Sequence, residues 1–305
     1  MEAVGIAINY FVAGVSPGWY LYFTVLFFLW GACCGSFLNV CIYRIPRDLS
    51  VIKPRSHCPH CSQYIAWYDN IPLVSYLALR ARCRRCGGPI AVRYFLVELL
   101  TAVLFLLIWL KYGPTAGSRP LGLAPMTSIW LVPVYWLAIF GLVLGTFVDF
   151  EHMIIPDRVT LGGIVLGVAL SALLPEMHHA GRVTGALTWQ QAVLPSLIGV
   201  ILGSGILWLL AWLGRLVFRR DAMGFGDVKL LGAIGAFLGW KAVLFTIMMS
   251  SLAGSIVGVS LIFAGKKRMQ SKIPYGPYLA LAALVWILWG PALWNAYVSL
   301  LTPVR

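Results

Sequence analysis

The chain has 305 residues, 60% of them hydrophobic and only 11% charged, with a mean hydropathy of +0.86. A soluble fold carries roughly 25% charged residues, so this chain lacks the polar surface to solvate itself and is expected to cross a membrane many times; disordered, collagen-like and small disulfide-stapled classes are excluded. Its net charge of +13 would suggest nucleic acid in a soluble protein, but cytoplasmic loops of membrane proteins collect Lys and Arg, so lipid and not nucleic acid is the expected surrounding.

A membrane helix needs about 20 mostly apolar residues. The first segment that meets this is Trp19–Tyr43, and the only long polar stretch, 44–92, follows it. Then come Arg93–Tyr112, Ser128–Val148, Arg158–Leu174, Gln190–Leu213, Asp227–Leu238, Ala242–Ala264 and Pro277–Leu301. The sixth of these eight is short. It is taken as a full span, with the chain turning near Gly239-Trp240-Lys241. Most Lys and Arg fall in 44–92, just before Asp227 and in 266–272. By the positive-inside rule that side is cytoplasmic, and both termini face out.

Within 44–92, Cys58-Pro-His-Cys61 and Cys83-Arg-Arg-Cys86 form a CxxC…CxxC pattern. Four thiolates at this spacing can close a tetrahedron around zinc, and Gly87-Gly88 gives the chain freedom to wrap it. Cytosolic thiols stay reduced. A closed four-thiolate site has no open position for water, so the metal would serve folding. A redox CxxC pair and unliganded thiols are the alternatives. His57 and His60 could substitute as ligands, but four cysteines suffice. Cys33, Cys34 and Cys41 lie in an apolar helix and read as core residues. The expected fold is therefore an all-α polytopic membrane protein. It has about eight transmembrane helices and a small cytoplasmic four-cysteine zinc-binding domain between the first and second.

With only 10 Asp and Glu, each acid can be weighed. Glu98 lies in an apolar helix and is a functional candidate, with pairing to Arg44 or Arg93 as the plainer alternative. Asp157 follows Pro156 and is expected to cap its helix. Asp149 ends the third span, and Asp227 opens the sixth within Gly224-Phe-Gly226-Asp227. Two carboxylates brought together can share a proton. The ionised one then activates a water and the protonated one polarises a peptide carbonyl. Gly224 and Gly226, without side chains, let backbone approach an extended substrate. The plainer alternative is that Asp227 caps a helix and Asp149 ends one. A proton or cation relay in a transporter would also use a pair of acids, but nearer the bilayer midplane.

GxGD before a membrane helix, with a second Asp ending an earlier one, looks like the intramembrane-type aspartic proteases. Four further stretches narrow this. They are Gly35-Ser-Phe-Leu-Asn39-Val-Cys-Ile-Tyr43-Arg44-Ile-Pro46, the cysteine module, Arg93-Tyr94-Phe-Leu-Val-Glu98 and Asp149-Phe-Glu-His-Met-Ile-Ile-Pro156-Asp157. In this order, with Gly224-Phe-Gly-Asp227-Val-Lys229, they resemble the bacterial type IV prepilin peptidases. The resemblance implies an inner-membrane enzyme with a cytoplasmic-side active site. Such an enzyme cleaves the basic leader of type IV prepilins and type II secretion pseudopilins at a Gly–Phe bond. It then N-methylates the new terminus with S-adenosylmethionine. Asp149 and Asp227 match the family's catalytic aspartates, and the cysteines match its metal-binding domain. Ala81 stands where the family commonly has Gly in a GRC pattern linked to methylation, which keeps a peptidase without transferase activity as an alternative. Gly35, Asn39 and Glu98 are the candidates for the cofactor. Gly35 and Asn39 are four apart on one helix and share a face. The implied division is 1–43, a first span; 44–92, the zinc module; and 93–305, the peptidase domain.

Overall fold

The computed structural model describes residues 17–113, 129–178, 189–219, 224–264 and 274–301. The start of the chain before Pro17 and the basic stretch 266–272 lie outside them. Regular structure among the described residues is helical, with two isolated antiparallel bridges. The helices are α1 (Pro17–Arg44), α2 (Val74–Ala78), α3 (Val92–Tyr112), α4 (Leu131–His152), α5 (Asp157–Leu173), α6 (Trp189–Phe218), α7 (Phe225–Phe263) and α8 (Gly276–Leu301).

Six of these are long and apolar enough to cross a membrane. A seventh, α5, has 17 residues, at the lower end of the range for a span. Helix α7 supplies two, because it is not continuous. Gly239 has φ 77° and ψ 176°, a region essentially confined to glycine. A Cβ on Gly235 would lie 3.0 Å from Cγ2 of Val243. Residues that far apart are about 12 Å from each other along an unbroken helix. The chain therefore doubles back at Gly239, where the sequence placed its turn, and about eight membrane segments result.

The chain divides into two compact units, Met1–Leu144 and Gly145–Arg305, the boundary falling within α4. In the first, α1 and α3 cross closely. A Cβ on Gly31 would meet Cα of Ala102 at 2.8 Å, and one on Gly35 would meet Cα of Glu98 at 2.7 Å. Small residues at such crossings let backbones approach where no hydrophobic force drives helices together. Phe27, Phe105, Trp109 and Trp136 fill the space above the crossing, with Phe105 and Trp136 stacked at 5.1 Å. The Trp136 indole N–H donates to the Phe105 carbonyl at 3.0 Å.

In the second unit the first arm of α7 is the central element, buried almost continuously from Asp227 to Phe237. Gly199 and Gly203 of α6 press against the backbone of Gly235 and Leu231. The Ser196 hydroxyl donates to the Ala236 carbonyl at 2.8 Å. The outer faces of α6 and of the second arm of α7 expose Leu210, Trp212, Val217, Met248, Leu252 and Ile256.

Candidate active site and metal centre

The four-cysteine module is two copies of one small loop. His57 bridges to Tyr64, and Arg82 bridges to Pro89. In the first loop Cys58 N–H donates to Gln63 O and Ser62 N–H to Cys58 O; in the second Cys83 N–H donates to Gly88 O and Gly87 N–H to Cys83 O. The residue after the second cysteine of each pair is left-handed, Ser62 at φ 54° and Gly87 at φ 68°. The sequence disguises this repeat, because the loops share little beyond their cysteines. Gly88 is needed for a different reason. A Cβ there would strike the His60 ring at 2.9 Å.

The loops bring the Sγ atoms of Cys58, Cys61, Cys83 and Cys86 within 4.8 Å of one another, with Cys58 and Cys86 at 3.9 Å. Zn–S bonds of about 2.3 Å in a tetrahedron put sulfurs about 3.8 Å apart, so the set fits a tetrahedral thiophilic ion. Backbone N–H groups of Cys86 and Arg85 pull the Cys83 thiol down to about 6. The Gly88 N–H pulls Cys86 down too, but burial and the neighbouring thiols outweigh it and push that thiol up to about 11. Asp69 also belongs to this module. Its carboxylate takes a fork from Arg84 at 2.6 to 3.0 Å, which holds it below the usual carboxylate range.

Gly35, Asn39 and Glu98 come together where α1 crosses α3. Glu98 does not pair with Arg44, whose guanidinium donates to the carbonyls of Ser50 and Pro54. Its Oε2 instead accepts the backbone N–H of Leu73 at 2.8 Å, in the polar module, where Leu73 has φ 63°. The Asn39 amide donates to the Tyr94 carbonyl at 3.0 Å, and its Oδ1 is buried without a partner among the described residues. The open side of Gly35 is filled by α3.

Asp149 lies in the last turn of α4 and Asp227 in the first turn of α7; they are 6% and 9% exposed. Neither position is explained by capping. The N-cap of α7 is Gly224, and no side chain caps it. The Asp227 N–H returns to the Gly224 carbonyl at 3.2 Å. Ile155 packs against Gly226, the residue before Asp227, and against Gly276, whose N–H bonds Asp149. A Cβ on Gly226 would lie 3.1 Å from Cβ of Ile155, and one on Gly276 would lie 3.0 Å from Cδ1 of the same residue. Gly226 is thus a packing glycine, whereas a Cβ on Gly224 would touch only Oδ2 of Asp227, at 3.4 Å.

Asp157 departs from the cap expected of it. Pro156 occupies the N-cap, with no side-chain hydrogen bond, and the Asp157 carboxylate pairs with Lys229. Sequence reasoning also missed Gly276, whose N–H donates to Oδ2 of Asp149 at 3.1 Å. The available signal was Pro274-Tyr-Gly-Pro277 ahead of the last span, a turn leading into a helix with Pro in its first turn.

A profile of the bacterial peptidase A24 N-terminal domain matches residues 29–112, and one of the type IV leader peptidase family matches residues 136–259. A prepilin leader peptidase/N-methyltransferase of Aeromonas hydrophila is 36% identical over 92% of this chain and 95% of its own. One from Pseudomonas aeruginosa is 32% identical over 92% and 94%. One from Myxococcus xanthus is 40% identical over 79% and 64%. No solved structure matches the chain.

Proposed function

This chain belongs to the type IV leader peptidase family, and from that we propose that it cleaves prepilin leaders with Asp149 and Asp227 and N-methylates the product. It is a multi-pass membrane enzyme with peptidase and methyltransferase activities. The observation that carries the reading is similarity to prepilin leader peptidase/N-methyltransferases over 92% of the chain, with both aspartates inside the matched segment 136–259.

Cleavage needs a water, a base for it and an acid for the carbonyl. Two carboxylates that share a proton supply both without a covalent intermediate. Burial of both acids supports this, because like charges brought out of water cannot both ionise. Gly224 leaves room for an extended substrate strand, and Gly226 lets Ile155 pack against it. The bond cut is Gly–Phe, at the cytoplasmic border of the inner membrane. That side follows from the basic residues of 44–92, and pseudopilins share the substrate chemistry.

Residues 44–92 form the metal-bearing module, and the ion is zinc, held by Cys58, Cys61, Cys83 and Cys86 for structure. The peptidase chemistry lies within 93–305. Methylation consumes S-adenosylmethionine, which supplies an electrophilic methyl group for a deprotonated amine. Asn39 and Glu98 serve that side of the activity. The buried Oδ1 of Asn39 is an acceptor awaiting a donor, and Gly35 contributes by letting α1 close on α3. The test is incubation of the purified protein with a prepilin peptide and labelled S-adenosylmethionine. Mass spectrometry should find a shortened, singly methylated product; an intact peptide would refute the reading.

A further inference from the structure

We propose that the backbone amide of Gly276 is a third component of the aspartate centre. It positions Asp149 by occupying Oδ2 and leaving Oδ1 to face the reaction. The inference rests on the reading of Asp149 as catalytic.

Three observations carry it. The Gly276 N–H donates to Oδ2 of Asp149 at 3.1 Å, and the bond is buried. Gly276 is the first residue of α8, and the first N–H groups of a helix have no partner within it. This donor is therefore spare, and it meets Asp149 in the last turn of α4. Finally, the position tolerates no side chain. A Cβ on Gly276 would stand 2.8 Å from Oδ2 of Asp149 and 3.0 Å from Cδ1 of Ile155.

The preceding residue anchors the amide. The Tyr275 hydroxyl lies 2.6 Å from Oγ of Ser250 and 3.2 Å from Oγ of Ser251, both on the second arm of α7. The second arm of α7 thus fixes Tyr275, Tyr275 fixes the Gly276 amide, and the amide fixes one carboxylate oxygen. An oxygen that accepts an N–H bond has one of its two lone pairs engaged and is the less basic oxygen of the carboxyl group. Any proton carried by Asp149 then sits on Oδ1, the oxygen free to exchange it with water or substrate. Binding of the substrate is untouched by this arrangement, so its signature is in turnover.

The decisive variant replaces the Gly276 residue with glycolate, converting one peptide to an ester. The N–H is lost and no side chain is added; the Tyr275 carbonyl, which accepts from the Tyr278 and Leu279 N–H groups, becomes an ester and a weaker acceptor, so a melting curve accompanies the assay. A hydrogen bond to a carboxylate is worth about ten- to a hundredfold in rate. We expect kcat for prepilin cleavage to fall by about that factor with KM within about twofold. Gly276→Ala should lose at least as much. Tyr275→Phe, which removes only the hydroxyl, should lower kcat severalfold at the same KM, and it stands as the test if the ester protein does not fold. Undiminished kcat in the ester or the Phe variant overturns the proposal, as does a loss that falls on KM. Asp149→Asn assayed alongside separates the two readings. Cleavage retained there defeats the catalytic role of Asp149 itself, while cleavage lost there but intact in the ester defeats only the role of Gly276.

Discussion

Lys229 Nζ lies 2.7 Å from Oδ1 of Asp157, tying the start of α5 to the start of α7 two residues beyond Asp227. The side chains are 31% and 63% exposed, and such pairs are worth about 0.2–1 kcal/mol. Their interest is positional, because the pair holds the turn that carries Asp227. Lys229→Met and Asp157→Asn should each lower cleavage by up to about fivefold and leave melting nearly unchanged. The charge-swapped double variant should recover part of the loss. A swap no better than the worse single variant would count against the ion pair.

Asp149→Asn and Asp227→Asn should each reduce cleavage to background while the protein still folds. Members of one catalytic unit are not additive. The double variant should therefore be no slower than either single one. Cleavage assays on the three proteins, with melting curves as a control, decide it; near-normal turnover in either single variant rejects the pair.

Metal should be lost as pH falls. Binding requires thiolates, so it expels whatever protons the four cysteines hold. Cys86, pushed up to about 11, is protonated at neutrality, and its proton is released to solvent when the ion binds. Cys83, at about 6, is largely a thiolate there and becomes protonated only below that. Affinity for zinc should therefore fall between neutrality and about pH 6, and fall more steeply below it as Cys83 also protonates. Competition with a chelator across this range tests the sign, and a flat profile contradicts four-thiolate ligation. Purified protein should carry about one zinc, and changing any one of the four cysteines to Ser should release it.

Much of this was legible because the physics involved is local. Eight apolar stretches, a turn at Gly239 and four cysteines in two pairs are written in spacing and composition. The pairings that cross the fold were not. Asp157 looked like a cap because Pro156 precedes it, and only the packing of α5 on α7 shows that Lys229 takes its carboxylate. Gly276 lies 127 residues from Asp149 along the chain, and no pattern in the sequence joins a backbone amide to a distant acid. The fork that Asp69 takes from Arg84 likewise exists only in the folded module. Gly226 read as room for substrate, whereas Ile155 occupies that room.

The turn at Gly239 gives a test of the fold. Its φ of 77° with ψ 176° lies where a side chain is strained by about 1–3 kcal/mol. Nearby, a Cβ would stand 3.1 Å from Nδ1 of His178. Gly239→Ala should lower the melting temperature by a few degrees, and Gly235→Val, which would collide with the Gly199 backbone, should do so by more. An unchanged melting curve for both would mean that α7 does not double back here.

The final prediction concerns Glu98 and the separation of the two activities. Hydrolysis uses a water between two carboxylates, whereas methyl transfer uses an amine and a sulfonium, and Glu98 and Asn39 lie in a different unit from Asp149 and Asp227. Glu98→Ala and Asn39→Ala should therefore reduce methylation more than cleavage, and the Asp149 and Asp227 variants should still methylate a pre-cleaved peptide. The competing account is that Glu98 only anchors the polar module through the Leu73 N–H. Glu98→Gln distinguishes them, because the amide oxygen keeps that hydrogen bond while the charge is lost. If anchoring is its whole role, the Gln variant retains both activities and the Ala variant loses both together. If the charge serves methyl transfer, the Gln variant cleaves normally and methylates at least about tenfold more slowly. Parallel measurement of both products from each variant settles which holds, and equal losses of the two activities in the Ala variants reject separability.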